Sequence, residues 1–262
     1  MRARQRWLIG GAALLLGTAA LLWWLPARWA LPLVEPRLHG MQLQQVQGRL
    51  WDGRAEQLIA ANGRALGTLR WKLSRRALLG EVRLRVDLDS PTLRFGGDVR
   101  QLIGERQEWR NVALWVDLAR HRPALSSPFG APQGTFELTV PYAVLQANWP
   151  LQLAAWARWR DAAVRTGGAP IALGSLRFLA QGEDGVIRMQ MYDEGNGPLA
   201  LNGQLELNPL GWGLDARLQP RNGDPTLRHW LATLGHPDAD GAVQLQRHGG
   251  LATALPSHGP QP

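Results

Sequence analysis

Asp193, Glu194 and Asn196 place three oxygen-bearing side chains within four positions, at the start of the run Gly195-Asn196-Gly197-Pro198. Oxygen ligands at that density suit a hard cation such as calcium. The ligand spacing and terminal glutamate of an EF-hand loop are missing, however, so the expectation is a plain turn. The same run lacks the spacing and the Lys-Ser/Thr of a phosphate-binding loop. Asp238-Ala239-Asp240-Gly241 likewise reads as a turn, leading into a last strand. The histidines at 39, 121, 229, 236, 248 and 258 include no HExxH pair, and His229 and His236 straddle the end of an expected helix, a poor arrangement for metal. No serine has a G-x-S-x-G context, and Ser175 falls in an expected strand. The absence of cysteine removes thiol catalysis, disulfides and cysteine–zinc sites. The chain is therefore expected not to be an enzyme, and to use no cofactor, metal or small-molecule substrate.

Recognition chemistry is better represented. There are 13 tryptophans beside 2 tyrosines and 4 phenylalanines. Most should be core, because a buried indole removes a large apolar area from water. Trp115 points opposite to Val112, Leu114 and Val116 on its expected strand, which makes it the candidate interface anchor.

The segment that must position all of this is N-terminal. Arg2, Arg4 and Arg6 precede an uncharged stretch, Trp7 to Leu25. That stretch is long enough for one helix across the bilayer, and the arginines before it predict a cytoplasmic N-terminus, residues 1–6. The competing reading is a cleaved signal peptide with Gly17-Thr18-Ala19 as its site. It would leave Leu21-Leu22-Trp23-Trp24-Leu25 as a naked apolar stub, whereas Trp23, Trp24 and Trp29, with Arg28 beside them, suit the outer membrane–water interface. Gly10, Ala13, Gly17 and Ala20 recur at three- and four-residue steps and would line one face of the span, where small residues admit a second helix. The alternative is that Ala and Gly are simply frequent there.

Beyond the span, a linker over 26–40 contains Pro32 and Pro36, which limit any helix to a turn or two. Alternation then dominates: Val82, Leu84, Val86 and Leu88 interleave with Arg83, Arg85, Asp87 and Asp89. Val112–Leu118, Phe136–Val140, Leu205–Leu207, Leu214–Leu218 and Val243–Leu245 repeat the period of a half-buried strand. The expected fold is mainly β, an antiparallel exported domain over 41–250 behind one transmembrane helix at 7–25, with one or two short helices. Leu153, Trp156 and Arg160 fall at helical spacing and predict a helix over Leu151 to Val164. Asp224-Pro225 through Gly235 predicts another, with a cap, an N-terminal proline and a glycine stop. Residues 251–262 read as a disordered tail.

The chain also carries matching segments at a fixed offset. Leu66-Gly67-Thr68-Leu69-Arg70-Trp71 matches Leu173-Gly174-Ser175-Leu176-Arg177-Phe178 at an offset of 107 (173 less 66), and the same offset carries Pro91 to Pro198 and Gly96 to Gly203. Two similar β units, about 41–125 and 150–248, would account for this; chance matching of β sequences is the alternative.

Basic charge is concentrated early. Residues 49–110 hold twelve arginines and Lys72 against eight acids, and residues 111–262 hold eleven arginines against twelve acids. An anionic membrane surface or an acidic partner accounts for this better than nucleic acid, which the expected topology never meets. Arginines on solvated strand faces are the plainer alternative.

Val46-Gln47-Gly48-Arg49-Leu50-Trp51-Asp52-Gly53-Arg54-Ala55 resembles the V-x-G-x-L-W-x-G-x-A signature of the type II secretion system protein N family. Leu66-Gly67 with Trp71 suits the family's next block. Gly197-Pro198-Leu199 with Gly203, then Trp212, Arg221, Leu234-Gly235, Asp238 and Gly241, match its C-terminal half. The similarity covers roughly residues 5–250 and is weakest over 100–170. Locally, Trp51-Asp52-Gly53 is expected to end a strand with a buried indole and turn at Asp-Gly, a structural role.

The resemblance implies a non-enzymatic accessory component of the Gram-negative machine that exports folded proteins. It would sit in the inner membrane near platform components L and M and connecting component C. A second class is lipid handling, since tandem β units behind a span also resemble AsmA-like proteins, whose grooves are associated with lipid movement. A groove lined by apolar side chains and rimmed by the basic residues of 49–110 would favour that reading, and a filled two-layer core would exclude it.

Overall fold

The structure is a computed structural model, and it describes residues 24–34, 38, 40–102, 104–121 and 130–250. The expected span, including Gly10, Ala13, Gly17 and Ala20, lies outside them except for its last two residues. So does the expected tail. Among the described residues no helix is long and apolar enough to cross a membrane. The chain divides into two compact units, Met1–Ser90 and Pro91–Pro262.

The first unit opens with helix α1 (Ala27–Val34), which contains Pro32. Four strands follow: β1 (Gln42–Gly48), β2 (Asp52–Ile59), β3 (Ala65–Leu73) and β4 (Arg83–Asp89), each antiparallel to its sequence neighbour. The alternation in β4 works as the sequence predicts: Leu84, Val86 and Leu88 turn inward while Arg83, Arg85 and Asp89 are exposed. A 3-10 turn, Arg75–Leu79, connects β3 to β4.

The second unit holds nine strands in sequence order: β5 (Leu93–Gln101), β6 (Arg106–Asp117), β7 (Ala131–Gln146), β8 (Trp149–Arg165), β9 (Ile171–Glu183), β10 (Val186–Asp193), β11 (Leu199–Asn208), β12 (Gly211–Pro220) and β13 (Val243–Gly250). Neighbours again pair antiparallel. Register sorts its faces by chemistry. Phe95, Leu114, Leu138, Ala157, Phe178, Met191, Gly203, Ala216 and Leu245 are successive cross-strand partners, and none is polar. One residue away, the row Arg94, Trp115, Glu137, Arg158, Arg177, Tyr192, Asn202, Arg217 and Gln244 forms the opposite face. A slip by one residue in any strand would exchange the two, so the burial preference fixes the register.

The expected helix over Leu151 to Val164 is a strand, β8. The Ala-rich composition and the spacing of Leu153, Trp156 and Arg160 favour a helix in isolation. In the sheet, Leu153, Ala155, Ala157 and Trp159 face the apolar side, and pairing with β7 and β9 overrides local propensity.

The second expected helix is present as α2 (Pro225–Leu234), inserted between β12 and β13. Asp224 caps it by accepting from the N–H groups of Thr226 and Leu227, and Pro225 occupies its first turn. Its buried Leu227, Trp230, Leu231 and Leu234 share one core with Ile171, Leu173, Leu199, Leu218 and Val243.

Gly67 and Gly174, equivalent under the sequence repeat, both have positive φ, at +131° and +98°. A Cβ on Gly67 would meet Asp89 and Ser90, and one on Gly174 would meet Asn196 and Gly197, which stand at the same offset from them. The registers differ, with Leu69 opposite Leu88 but Leu176 opposite Asp193. So do the connections: Ser74 to Val82 in one case, Asp184-Gly185 in the other.

Candidate functional site

The β1–β2 hairpin of the first unit is a clasp. Its turn runs from Arg49 to Asp52, each N–H bonding the other's carbonyl (2.9 and 3.2 Å), so its tip is Leu50-Trp51 and not the expected Asp52-Gly53, which opens β2. Trp51 is buried within that turn, as expected. The Trp71 indole lies across the hairpin and donates from Nε1 to the Leu50 carbonyl at 3.0 Å. A Cβ on Gly53 would stand 2.3 Å from Cζ2 of Trp71, so only glycine admits the ring. The other side of the clasp reaches back to the segment where the expected span ends. The Leu50 N–H donates to the Leu25 carbonyl at 2.9 Å, Pro26 bridges to Arg49, and the Arg49 guanidinium sits 4.0 Å from the centre of the Trp24 ring. A cation–π contact at an exposed site contributes about 0.5–1 kcal/mol.

A second arrangement closes the β10–β11 corner of the other unit. Asp193 accepts from the N–H groups of Leu201 (2.8 Å) and Gly195 (2.7 Å) and pairs with Arg221 at 2.6 Å. Arg221 also donates to the carbonyls of Gly197 and Leu199. Glu194 bridges Arg158 and Arg177, and the Asn196 side chain binds the Ser175 backbone and hydroxyl. Burial would push the Asp193 carboxyl up, but the Leu201 N–H, Arg221 and the Gly195 N–H outweigh it and hold it below the usual carboxylate range. Hydrogen bonds from Arg158 and Arg177 lower Glu194 in the same way. These carboxylates are therefore compensated by arginine. Among the described residues no cluster of three or more His, Asp or Glu side chains could hold a metal ion.

A family model described as type II secretion system (T2SS), protein N, matches residues 39–246. The chain belongs to the type II secretion system protein N family. The type II secretion system protein N of Klebsiella pneumoniae is 29% identical over 240 residues, spanning 90% of this chain and 94% of that protein. No solved structure matches the chain.

Most of the residues that carry the sequence resemblance fall in or beside these two arrangements. Val46 pairs with Ala55 on β1–β2, Gly48 with Gly53, and Leu50, Trp51 and Trp71 complete the clasp. Leu66 and Gly67 lie on β3, and Gly67 crosses to Asp89. Gly197, Pro198 and Leu199 form the second corner, where Gly197 lies against Gly174 and Leu199 is fully buried. Gly203 sits on β11 against Ala216.

Trp115 is half-buried on the polar face of the second unit, with the Arg94 guanidinium 4.5 Å from its ring centre. Two rows of that face were not foreseen as a pair. Trp156 and Leu179 are cross-strand partners on β8 and β9, both exposed, next to Arg158 and Arg177. Reading residues 151–164 as a helix concealed them; reading β8 as a strand would have put Trp156 outward beside Arg158.

Proposed function

We propose that this chain is a non-enzymatic accessory subunit of the type II secretion system. In this reading residues 7–25 anchor it in the inner membrane with its N-terminus in the cytoplasm, and its β units lie in the periplasm. It acts through protein contacts with platform components L and M and connecting component C, and it takes no nucleic acid. The observation that carries this reading is the clasp. Leu50 and Arg49 of the signature hairpin bind Leu25 and Trp24, so the β structure is fixed to the end of the expected span rather than trailing from a slack linker. Gly10, Ala13, Gly17 and Ala20 then supply a face for a neighbouring helix, and Trp115 and the Trp156–Leu179 pair supply periplasmic contacts. The test replaces residues 1–25 by an unrelated span of equal length. Loss of co-purification with components L and M is expected; unchanged co-purification and unchanged secretion would refute the reading.

A second reading, lipid handling, draws on the apolar face of the second unit. Phe95, Leu114, Leu138, Phe178 and Met191 remain only half-buried there, the condition expected of a groove open to an acyl chain. Purifying the full chain in mild detergent and measuring bound phospholipid by mass spectrometry tests it. Phospholipid at near-equal molar amount, reduced by Leu138→Asp, would support this reading; none would end it.

A further inference from the structure

The first unit presents a second apolar and basic surface at the end of its sheet nearest the clasp. β3 runs back to that end: the Leu73 N–H donates to the Trp51 carbonyl at 2.8 Å, and the next residue, Ser74, donates to Arg83. The 3-10 turn Arg75–Leu79 therefore projects from the same edge as the hairpin that holds Leu25. The turn is built rather than slack. The Ser74 hydroxyl accepts from the Arg76 N–H, Gly80 closes it in the left-handed region at φ +88°, and the Gly80 and Glu81 N–H groups return to Ala77 and Arg76. At its tip Leu79 is 85% exposed, and Leu78 is exposed beside it. Trp24 and Trp29, at the start of the described chain, are exposed as well. Arg49 stacks on Trp24, Arg28 precedes Trp29 in the chain, and Arg75, Arg76 and Arg83 flank the two leucines; Glu81, paired with Arg83 and Arg76, and Asp52 of the hairpin are acids at the same end.

Consecutive exposed leucines between arginines are a poor surface for water alone. They match a membrane interface, where aliphatic tips enter the acyl boundary, indoles sit at headgroup level and guanidinium groups meet phosphate. We infer that the Arg75–Leu79 turn is a second membrane contact, with Leu78 and Leu79 inserted into an anionic phospholipid surface beside the exit of the N-terminal span. This rests on the proposed retention of that span as an anchor. Its occupant is the lipid surface, because the basic rim complements phosphate and the exposed tryptophans lie where the chain leaves the expected helix. The contact would hold the first unit against the membrane at two points.

The cysteine-free sequence makes the test clean. Full-length chain carrying Leu79→Cys, labelled with an environment-sensitive fluorophore, is reconstituted into vesicles of phosphatidylethanolamine and phosphatidylglycerol. Asn62→Cys, on the β2–β3 turn at the opposite end of the sheet, is the control. A blue shift and quenching by acyl-chain nitroxide lipid at position 79, absent at 62, is the expected result. The shift should shrink in an Arg75→Glu, Arg76→Glu background; an unchanged shift would overturn the role assigned to charge. A water-like signal at 79 in chain that survives alkaline carbonate flotation would overturn the contact and leave the anchor standing. Release of the chain by carbonate would instead sink the anchor, and the signal at 79 before the wash would still decide the contact.

Discussion

The indole nitrogen of Trp71 donates to the carbonyl of Leu50 at 3.0 Å, while the N–H of that same leucine donates to Leu25. Leu50 thus joins β3 to the last residue of the expected span, and both bonds use its backbone. Such a position constrains backbone conformation more than the identity of the leucine side chain.

Trp71→Phe should remove the first bond and cost about 1 kcal/mol in stability. Gly53→Ala should cost about 1–3 kcal/mol, because the added methyl meets the ring. In a Trp71→Phe background the Gly53→Ala penalty should fall, since the atom it strikes is gone. Urea titrations of the four proteins test this, and strictly additive costs would contradict the geometry.

The second corner makes stability depend on acid. Folding lowers the Asp193 and Glu194 carboxyls, so their ionised forms stabilise the fold fully above the ordinary carboxylate range of about 4. That contribution is lost as pH falls through this range and below the folded-state values. Asp193→Asn should lower the melting temperature at neutral pH, and the difference from the unaltered chain should shrink as pH falls below the ordinary carboxylate range. Parallel curves across the whole range would count against the Arg221 pairing.

Much of this fold was legible because it is local. The period-2 runs mark β4, β6, β7, β11, β12 and β13, and Asp224-Pro225 with Gly235 bounds α2 within a residue. β8 was misread because its alanines and the spacing of Leu153, Trp156 and Arg160 suit a helix, and only its neighbours decide otherwise. The candidate sites were less visible. Trp24 and Arg49, or Asp193 and Arg221, lie far apart in the chain, and nothing local announces either pair. The resemblance pointed to residues of the clasp but not to its partner, Leu25.

If the chain carries two related β units, the paired glycines should respond alike. Gly67→Ala and Gly174→Ala each force a side chain into the left-handed region against the crossing backbone, at roughly 1–3 kcal/mol apiece. Gly213→Ala, with open space and ordinary backbone, should be nearly neutral. Thermal melts in which one of the pair is silent would speak against equivalence.

The helix α2 closes the core of the second unit, and Leu231 is fully buried there. Leu231→Ala should cost about 2–5 kcal/mol, whereas Leu210→Ala, at an exposed position, should cost little. Denaturant midpoints that fail to separate the two would contradict the placement of α2.

The central claim is that this member of the family works by holding other secretion components through its membrane segment. The most direct measurement compares co-purification of components L and M with full-length chain and with a chain carrying Gly10→Leu, Ala13→Leu, Gly17→Leu and Ala20→Leu. The substituted chain should stay in the inner membrane and lose both components. Equal recovery of L and M with the two chains would contradict the claim.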